Sequence, residues 1–232
     1  EQIRYSCAVG GNNITIIGNG VGLGYAPAGP AHQPNDDVSV MKSLLGVNIY
    51  SPSTSVQISK IVDLCLLSKT LNYVRLERKN SEFLNAEYAD LSKQNFLPVI
   101  YDSSVKITPD LIVISYGYVS ARVKEAIKNL SGNKSKKVLM LDLQKLWPLD
   151  LNSLINFFKT TKKILFVEEQ TISGSLYESF TSYCMTQGIN FELRSLHLPN
   201  KYIFENGNQE ELLDRFGFSV SSIRSLIDSM CS

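Results

Sequence analysis

Leu111-Ile112-Val113-Ile114-Ser115, then Ser120 to Leu130 with Val123, Ile127 and Leu130 at helical spacing, then Val138-Leu139-Met140-Leu141: this stretch decides the fold. A short continuous apolar run rich in β-branched residues reads as a strand covered on both faces. Two such runs joined by one amphipathic helix form a strand–helix–strand unit with parallel strands and a right-handed crossover.

The alternation continues downstream. Leu151 to Phe158 reads as a helix introduced by Pro148, with Asp150 as its cap. Ile164-Leu165-Phe166-Val167 is a strand, Leu176 to Met185 a helix and Phe191-Glu192-Leu193 a strand. Helices at Gln209 to Arg215 and Ser221 to Met230 close the sequence.

Upstream the pattern repeats with more punctuation. Ile14-Thr15-Ile16-Ile17, stopped by Gly18, reads as a buried strand. Val38, Met41, Leu44 and Leu45 mark a helix with Asn35, Asp36 and Asp37 at its front, where acceptors and carboxylates suit free N–H groups. Val47 to Tyr50 is a strand, Ile58 to Leu66 a helix and Tyr73 to Leu76 a strand. Glu1 to Ala8 reads as the end of an amphipathic helix, with Ile3 and Cys7 on one face, so the sequence is expected to open inside a domain. Residues Lys79 to Asp110 are polar and weakly periodic and read as a linker, with a short hairpin around Leu97 to Lys106. The expected fold is therefore two α/β domains, each a mostly parallel sheet covered by helices. The first spans residues 1–103 with its linker from about 79, and the second spans 104–232.

Composition excludes several classes of function. The 232 residues are 44% hydrophobic and 19% charged, enough apolar material for a core of this size. A net charge of +1 gives no electrostatic reason to expect nucleic acid or an anionic membrane as partner. No apolar run approaches the roughly 20 residues a membrane helix needs. No signal peptide opens the sequence, and Cys7, Cys65, Cys184 and Cys231 lack Cys-x-x-Cys spacing. Cys7, Cys65 and Cys184 sit among apolar neighbours and read as buried small hydrophobes in a reducing, cytoplasmic setting.

In open α/β sheets ligands bind beyond the carboxyl ends of the strands, so the loop after the first strand is the first place to look. It runs Gly18-Asn19-Gly20-Val21-Gly22-Leu23-Gly24-Tyr25-Ala26-Pro27-Ala28-Gly29-Pro30-Ala31-His32-Gln33. It matches neither the dinucleotide fingerprint nor the Walker A loop. It reads as a loop that lets backbone approach a ligand closely and carries one imidazole toward it. His32 alone would be a solvated or structural histidine; a helix N-terminus beside it favours anions. Arg75 and Arg78 bracket Glu77 at the end of the third strand, where a guanidinium fork suits phosphate, or forms a surface ion pair with Glu77. Glu168 and Glu169, adjacent on a strand, face opposite ways and suit a structural or interface role. His197 is read as structural, and no third ligand-type residue joins either histidine to suggest a metal.

Gly-Pro-Ala-His-Gln at Gly29 to Gln33, the Asp-Asp-Val at Asp36, Ile-Tyr-Ser-Pro-Ser at Ile49 and a strand ending in Arg78 together resemble the transketolase family. The resemblance continues through Leu141 to Asp150, Val167-Glu168-Glu169 and Gly207 to Phe216. It implies the later part of a pyrimidine-binding domain followed by a transketolase C-terminal domain. The family moves a two-carbon ketol unit between sugar phosphates with thiamin diphosphate and Mg2+.

By that resemblance His32 is the catalytic and substrate-orienting imidazole, and Arg78 holds the substrate phosphate. The Tyr25 to Ala28 segment is longer than usual and lacks an acid, and Asn19-Gly20 stands where a His-Asp is common. These departures resemble the split or sugar-nucleotide-type members. The cofactor-activating glutamate and the diphosphate and metal ligands are expected outside these residues, so cofactor-binding residues stay unassigned. The chain is then inactive without a diphosphate-binding domain, supplied in cis or as a separate subunit, in a homo-oligomer or heterodimer. Related readings are 1-deoxyxylulose-5-phosphate synthase, a 2-oxoacid dehydrogenase beta subunit, and a non-catalytic structural or regulatory partner.

Overall fold

The computed structural model describes residues 1–79, 99–100, 109–131, 137–158 and 161–231. It contains two mostly parallel sheets with helices, the α/β architecture expected from the sequence. Apart from residues 99–100, the expected hairpin at Leu97 to Lys106 lies outside the described residues, as does most of the linker.

The first sheet is built from β1 (Thr15–Asn19), β2 (Asn48–Tyr50) and β3 (Asn72–Leu76), with β1 and β2 both parallel to β3. Between them lie α1 (Asp37–Lys42) and α2 (Ser55–Leu67). A capping box starts α2: the Thr54 side chain accepts from the Gln57 N–H, and the Gln57 side chain accepts from the Thr54 N–H.

The second sheet begins with β4 (Val99–Ile100), then β5 (Leu111–Ser115) and β6 (Val138–Asp142). The next strand, β7 (Lys145–Trp147), leaves it and pairs antiparallel with β2, so a piece of the second half completes the first sheet. The order there is β1-β3-β2-β7. After α4 (Leu151–Phe157) come β8 (Lys163–Thr171), α5 (Leu176–Thr186) and β9 (Glu192–Leu198), giving the order β4-β6-β5-β8-β9. Helices α3 (Val119–Lys128), α6 (Gln209–Arg215) and α7 (Val220–Met230) complete the molecule.

Two large cores follow from this arrangement. One joins β5, β6 and β8 to α3, α6 and α7 and takes in Leu23 and Ala26 from the glycine-rich loop. The other lies between α1, β2 and the opposite side of the second sheet, with Phe158, Phe166 and Phe180 at ring-to-ring distances of 5.5 and 5.6 Å. The two halves thus share their hydrophobic interior.

Several expectations are corrected. Strand β1 is an outer strand of its sheet among the described residues, alternating exposed and half-buried, because it pairs only with β3. Residues Ile3–Val9 wind as a π-helix with no buried residue. Asp37 does not cap α1: its carboxylate is turned to Tyr73 and Arg75, and Asp36 at the cap makes no side-chain cap bond. The strand expected at Phe191-Glu192-Leu193 runs on to Leu198, so His197 lies within β9.

Candidate active site at the rim of the two sheets

The glycine-rich loop leaves β1 at its carboxyl end. Its path requires glycine: Gly20 has φ 79°, and a Cβ there would overlap the Tyr25 ring at 2.0 Å. Gly22 has φ 58°, and a Cβ there would meet Glu169 Oε1 at 2.5 Å. The loop then turns twice through short 3-10 segments, Ala26–Ala28 and Pro30–His32.

Buried polar side chains clamp the segment that carries His32. Gln33 is buried and its Nε2 donates to Ala26 O at 3.3 Å. Asn35 is buried, and its main-chain carbonyl accepts from the Thr171 N–H at 2.9 Å and from the Thr171 Oγ1 hydroxyl at 3.2 Å. Between these anchors and the 3-10 turn, His32 is exposed. The local fold therefore fixes the backbone of the imidazole and leaves its ring free for a ligand.

Arg78, just past β3, is also exposed. Its guanidinium lies 4.5 Å from the centre of the Tyr25 ring, and Tyr25 Oη accepts from Asn19 Nδ2 at 3.3 Å. The cation–π contact brings Arg78 onto the same loop that bears His32 and holds its planar fork near the rim.

Arg75 takes no such position. Its side chain is only 2% exposed, and Nε donates to Asp37 Oδ2 at 2.8 Å, an oxygen that also accepts from Tyr73 Oη at 2.8 Å. Burial works against its charge, but Asp37 and the neighbouring tyrosine rings outweigh that and raise its pKa. The surface pair expected between Arg75 and Glu77 is replaced by this buried pair with Asp37.

The two adjacent glutamates do part company, as the strand period requires. Glu168 accepts from the Leu176 N–H at 2.9 Å and the Tyr177 N–H at 3.0 Å, so it satisfies free N–H groups at the start of α5. Tyr116 Oη at 3.1 Å and His197 Nε2 at 3.2 Å complete its surroundings, consistent with a structural His197. Glu169 faces the glycine-rich loop: its Oε1 accepts from the Leu23 N–H at 2.8 Å and from Gln209 Nε2 at 3.3 Å. Burial pushes its pKa up to about 7.

Sequence reasoning did not single out Glu77 as a buried acid. Its Oε2 is buried with no hydrogen-bond partner, and burial together with Glu169 raises its pKa well above the usual carboxylate range. A cleft of about 30 Å³ lined by Ser53, Thr54, Leu76, Glu77 and Tyr118 opens beside it. A wider groove of about 540 Å³ lies between α3, α6 and α7, but its Arg122 is already bound to Asp214 at 2.6 Å and to Glu210. Among the described residues no helix is long and apolar enough to cross a membrane.

The comparisons with known proteins match two family models in succession along the chain. The family model for the transketolase pyrimidine binding domain matches residues 1–82, and that for the transketolase C-terminal domain matches 104–223. The chain is 22% identical over 231 residues to an apulose-4-phosphate transketolase subunit of Actinobacillus succinogenes, covering 99% of this chain and 72% of that protein. It is 24% identical over 225 residues to human transketolase, covering 96% of this chain and 34% of that one. A solved structure of a split gene transketolase, an inactive beta4 tetramer, has the same fold at a TM-score of 0.80 and 19% identity, with 99% of this chain and 71% of that one covered. Two domain matches in this order, over a fold shared with a split-gene relative, make the chain a member of the transketolase family, corresponding to its C-terminal portion.

Proposed function

We propose that this chain is the substrate-facing part of a thiamin-diphosphate-dependent enzyme that transfers a two-carbon ketol unit between sugar phosphates. Residues 1–103 would be the partial pyrimidine-binding domain and 104–232 the C-terminal domain. The observation that carries the reading is the clamped loop at the sheet rim, which exposes His32 while Tyr25 draws Arg78 to it.

The exposed donor groups suit a sugar substrate rather than the metal–diphosphate part of the cofactor. An exposed imidazole and guanidinium suit a reacting sugar phosphate. Among the described residues, no group of three or more His, Cys, Asp or Glu side chains is placed to hold a metal ion. The diphosphate and its Mg2+ would therefore be held by a diphosphate-binding domain. A separate polypeptide is the simplest source, since the Actinobacillus relative is itself named as one subunit of its transketolase. When bound, thiamin diphosphate supplies the nucleophilic carbon and electron sink that carry the two-carbon unit.

The residues of this chain do the rest. The His32 imidazole hydrogen-bonds a sugar hydroxyl and passes a proton to or from it. The Arg78 fork binds the phosphate with two parallel N–H donors, which sets the distance of the reacting carbon from the loop.

The test is ketol transfer by the full-length protein combined with its diphosphate-binding partner, with and without thiamin diphosphate. His32→Ala should lower kcat about 10²–10⁴-fold while cofactor binding is kept. Arg78→Ala should raise KM for a phosphorylated sugar and leave an unphosphorylated one unaffected. Full activity in His32→Ala would remove the assignment, and absence of cofactor-dependent transfer in the assembled protein would favour a non-catalytic partner role.

A further inference from the structure

Arg75 and Arg78 stand at the same strand end and are held in opposite ways. Arg75 is buried against Asp37, whose carboxylate answers its charge and takes its Nε donor. Arg78 makes no ion pair among the described residues; its guanidinium meets the Tyr25 ring, 4.5 Å from the ring centre. An acid partner would neutralise the fork and occupy its N–H groups. A ring face attracts the cation through its quadrupole and leaves the in-plane donors free for a ligand.

The ring is itself braced by the strands that meet there. Asn19 of β1 pairs with Leu76 of β3, and the next residue, Gly20, donates its N–H to Leu76 O at 2.8 Å. A Cβ on Gly20 would lie 2.0 and 2.1 Å from Tyr25 Cε2 and Cδ2, so the ring edge fills the space that this glycine leaves open. Gly24 folds the chain back over the same point: its N–H donates to Val21 O at 3.0 Å, and a Cβ on it would sit 3.0 Å from the Gly20 main chain. Asn19 Nδ2 donates to Tyr25 Oη at 3.3 Å. Gly20 thus supports the ring edge and Asn19 its tip, while Leu76 ties both to the strand that leads into Arg78.

We propose that Tyr25 is a positioning residue that sets specificity for a phosphorylated sugar: its braced ring holds the Arg78 fork at the rim without engaging the donors that the phosphate needs. The inference rests on the reading of Arg78 as the phosphate-binding group. A long, exposed arginine without such a support would divide its time among many rotamers. An exposed cation–π contact favours the supported arrangement about 2–5-fold. That gain falls on substrates that carry a phosphate, and it passes through Arg78 alone.

Ketol transfer by the full-length protein with its diphosphate-binding partner tests this in a double-mutant cycle. Tyr25→Leu removes the aromatic face; it should raise KM for a phosphorylated sugar about 2–5-fold and leave KM for an unphosphorylated one unchanged. Tyr25→Phe keeps the face and should restore the lower KM. In an Arg78→Ala background Tyr25→Leu should have no further effect. An unchanged KM in Tyr25→Leu, equal losses with both sugars, no rescue by Tyr25→Phe, or the same loss in the Arg78→Ala background would each overturn the proposal. Nuclear magnetic resonance gives a reading that needs no turnover. The Arg78 side-chain protons should be shifted upfield by the ring in the wild type and in Tyr25→Phe, and should return to ordinary positions in Tyr25→Leu. A wild type without that shift overturns the placement whatever the kinetics. With the shift present, an Arg78→Ala variant that keeps the wild-type KM for a phosphorylated sugar would instead overturn the phosphate reading of Arg78, and the specificity drawn from it.

Discussion

The two sheets treat the same kind of sequence differently. Leu111 to Ile114 and Ile14 to Ile17 are both short continuous apolar runs, and both form strands. In β5 every residue is buried, because the strand lies between β6 and β8 with helices over it. In β1 the burial alternates, and Ile17 is 61% exposed, because among the described residues the strand pairs only with β3. The helices follow suit. The buried face of α2 is Gln57, Ile61 and Cys65 alone, with Val62, Leu66 and Leu67 exposed. Apolar text thus records that a surface is built to be covered, while position in the sheet decides whether these residues do the covering.

That contrast can be broken most severely where the halves meet. Asp37→Ala would strand Arg75 as an unpaired buried charge and should cost about 3–5 kcal/mol in urea unfolding of the full-length protein. Leu23→Ala should cost about 2–5 kcal/mol, although Leu23 belongs to a loop of the first half, because it is wholly buried in the core of the second. Thr54→Ala removes the capping box of α2 and should cost about 0.5–2 kcal/mol, a loss confined to the thinly covered helix. Ile17→Thr sharpens the comparison from the other side: at an exposed strand position it should change stability by no more than about 0.5 kcal/mol. An Ile17→Thr loss comparable to that of Leu23→Ala would show that β1 is covered in solution.

What the sequence reveals follows the range of the interactions. Periodicity within a few residues places most helices and strands of both halves, and Leu111 to Ser115 and Gln209 to Arg215 coincide with β5 and α6. The spacing of glycines and prolines marks the rim loop, and Gly29 to Gln33 with Arg78 carries the family resemblance. The opposed facing of Glu168 and Glu169 also follows from strand geometry alone. Contacts between distant residues leave no such trace. Leu23 and Glu169 are 146 positions apart, and Arg75 meets Asp37 across 38, so neither pairing is written in any local window. Glu77 was hidden by its neighbours: beside Arg75 and Arg78 an acid reads as a surface ion-pair partner, and only the fold buries its Oε2. The strand at Lys145 to Trp147 is not among those read from the sequence, and its return to the first sheet is a long-range pairing that strand propensity does not carry.

That short ribbon has an evolutionary corollary. Because β7 closes the side of β2 that would otherwise carry bare backbone donors and acceptors, a recombination event falling between the sheets would leave the upstream module with an unsatisfied flank. Exchange among genes should then favour inheritance of the two modules as a single cassette, and hybrids joined inside the connecting stretch should survive only when both parents present the same Lys-Leu-Trp-like ribbon.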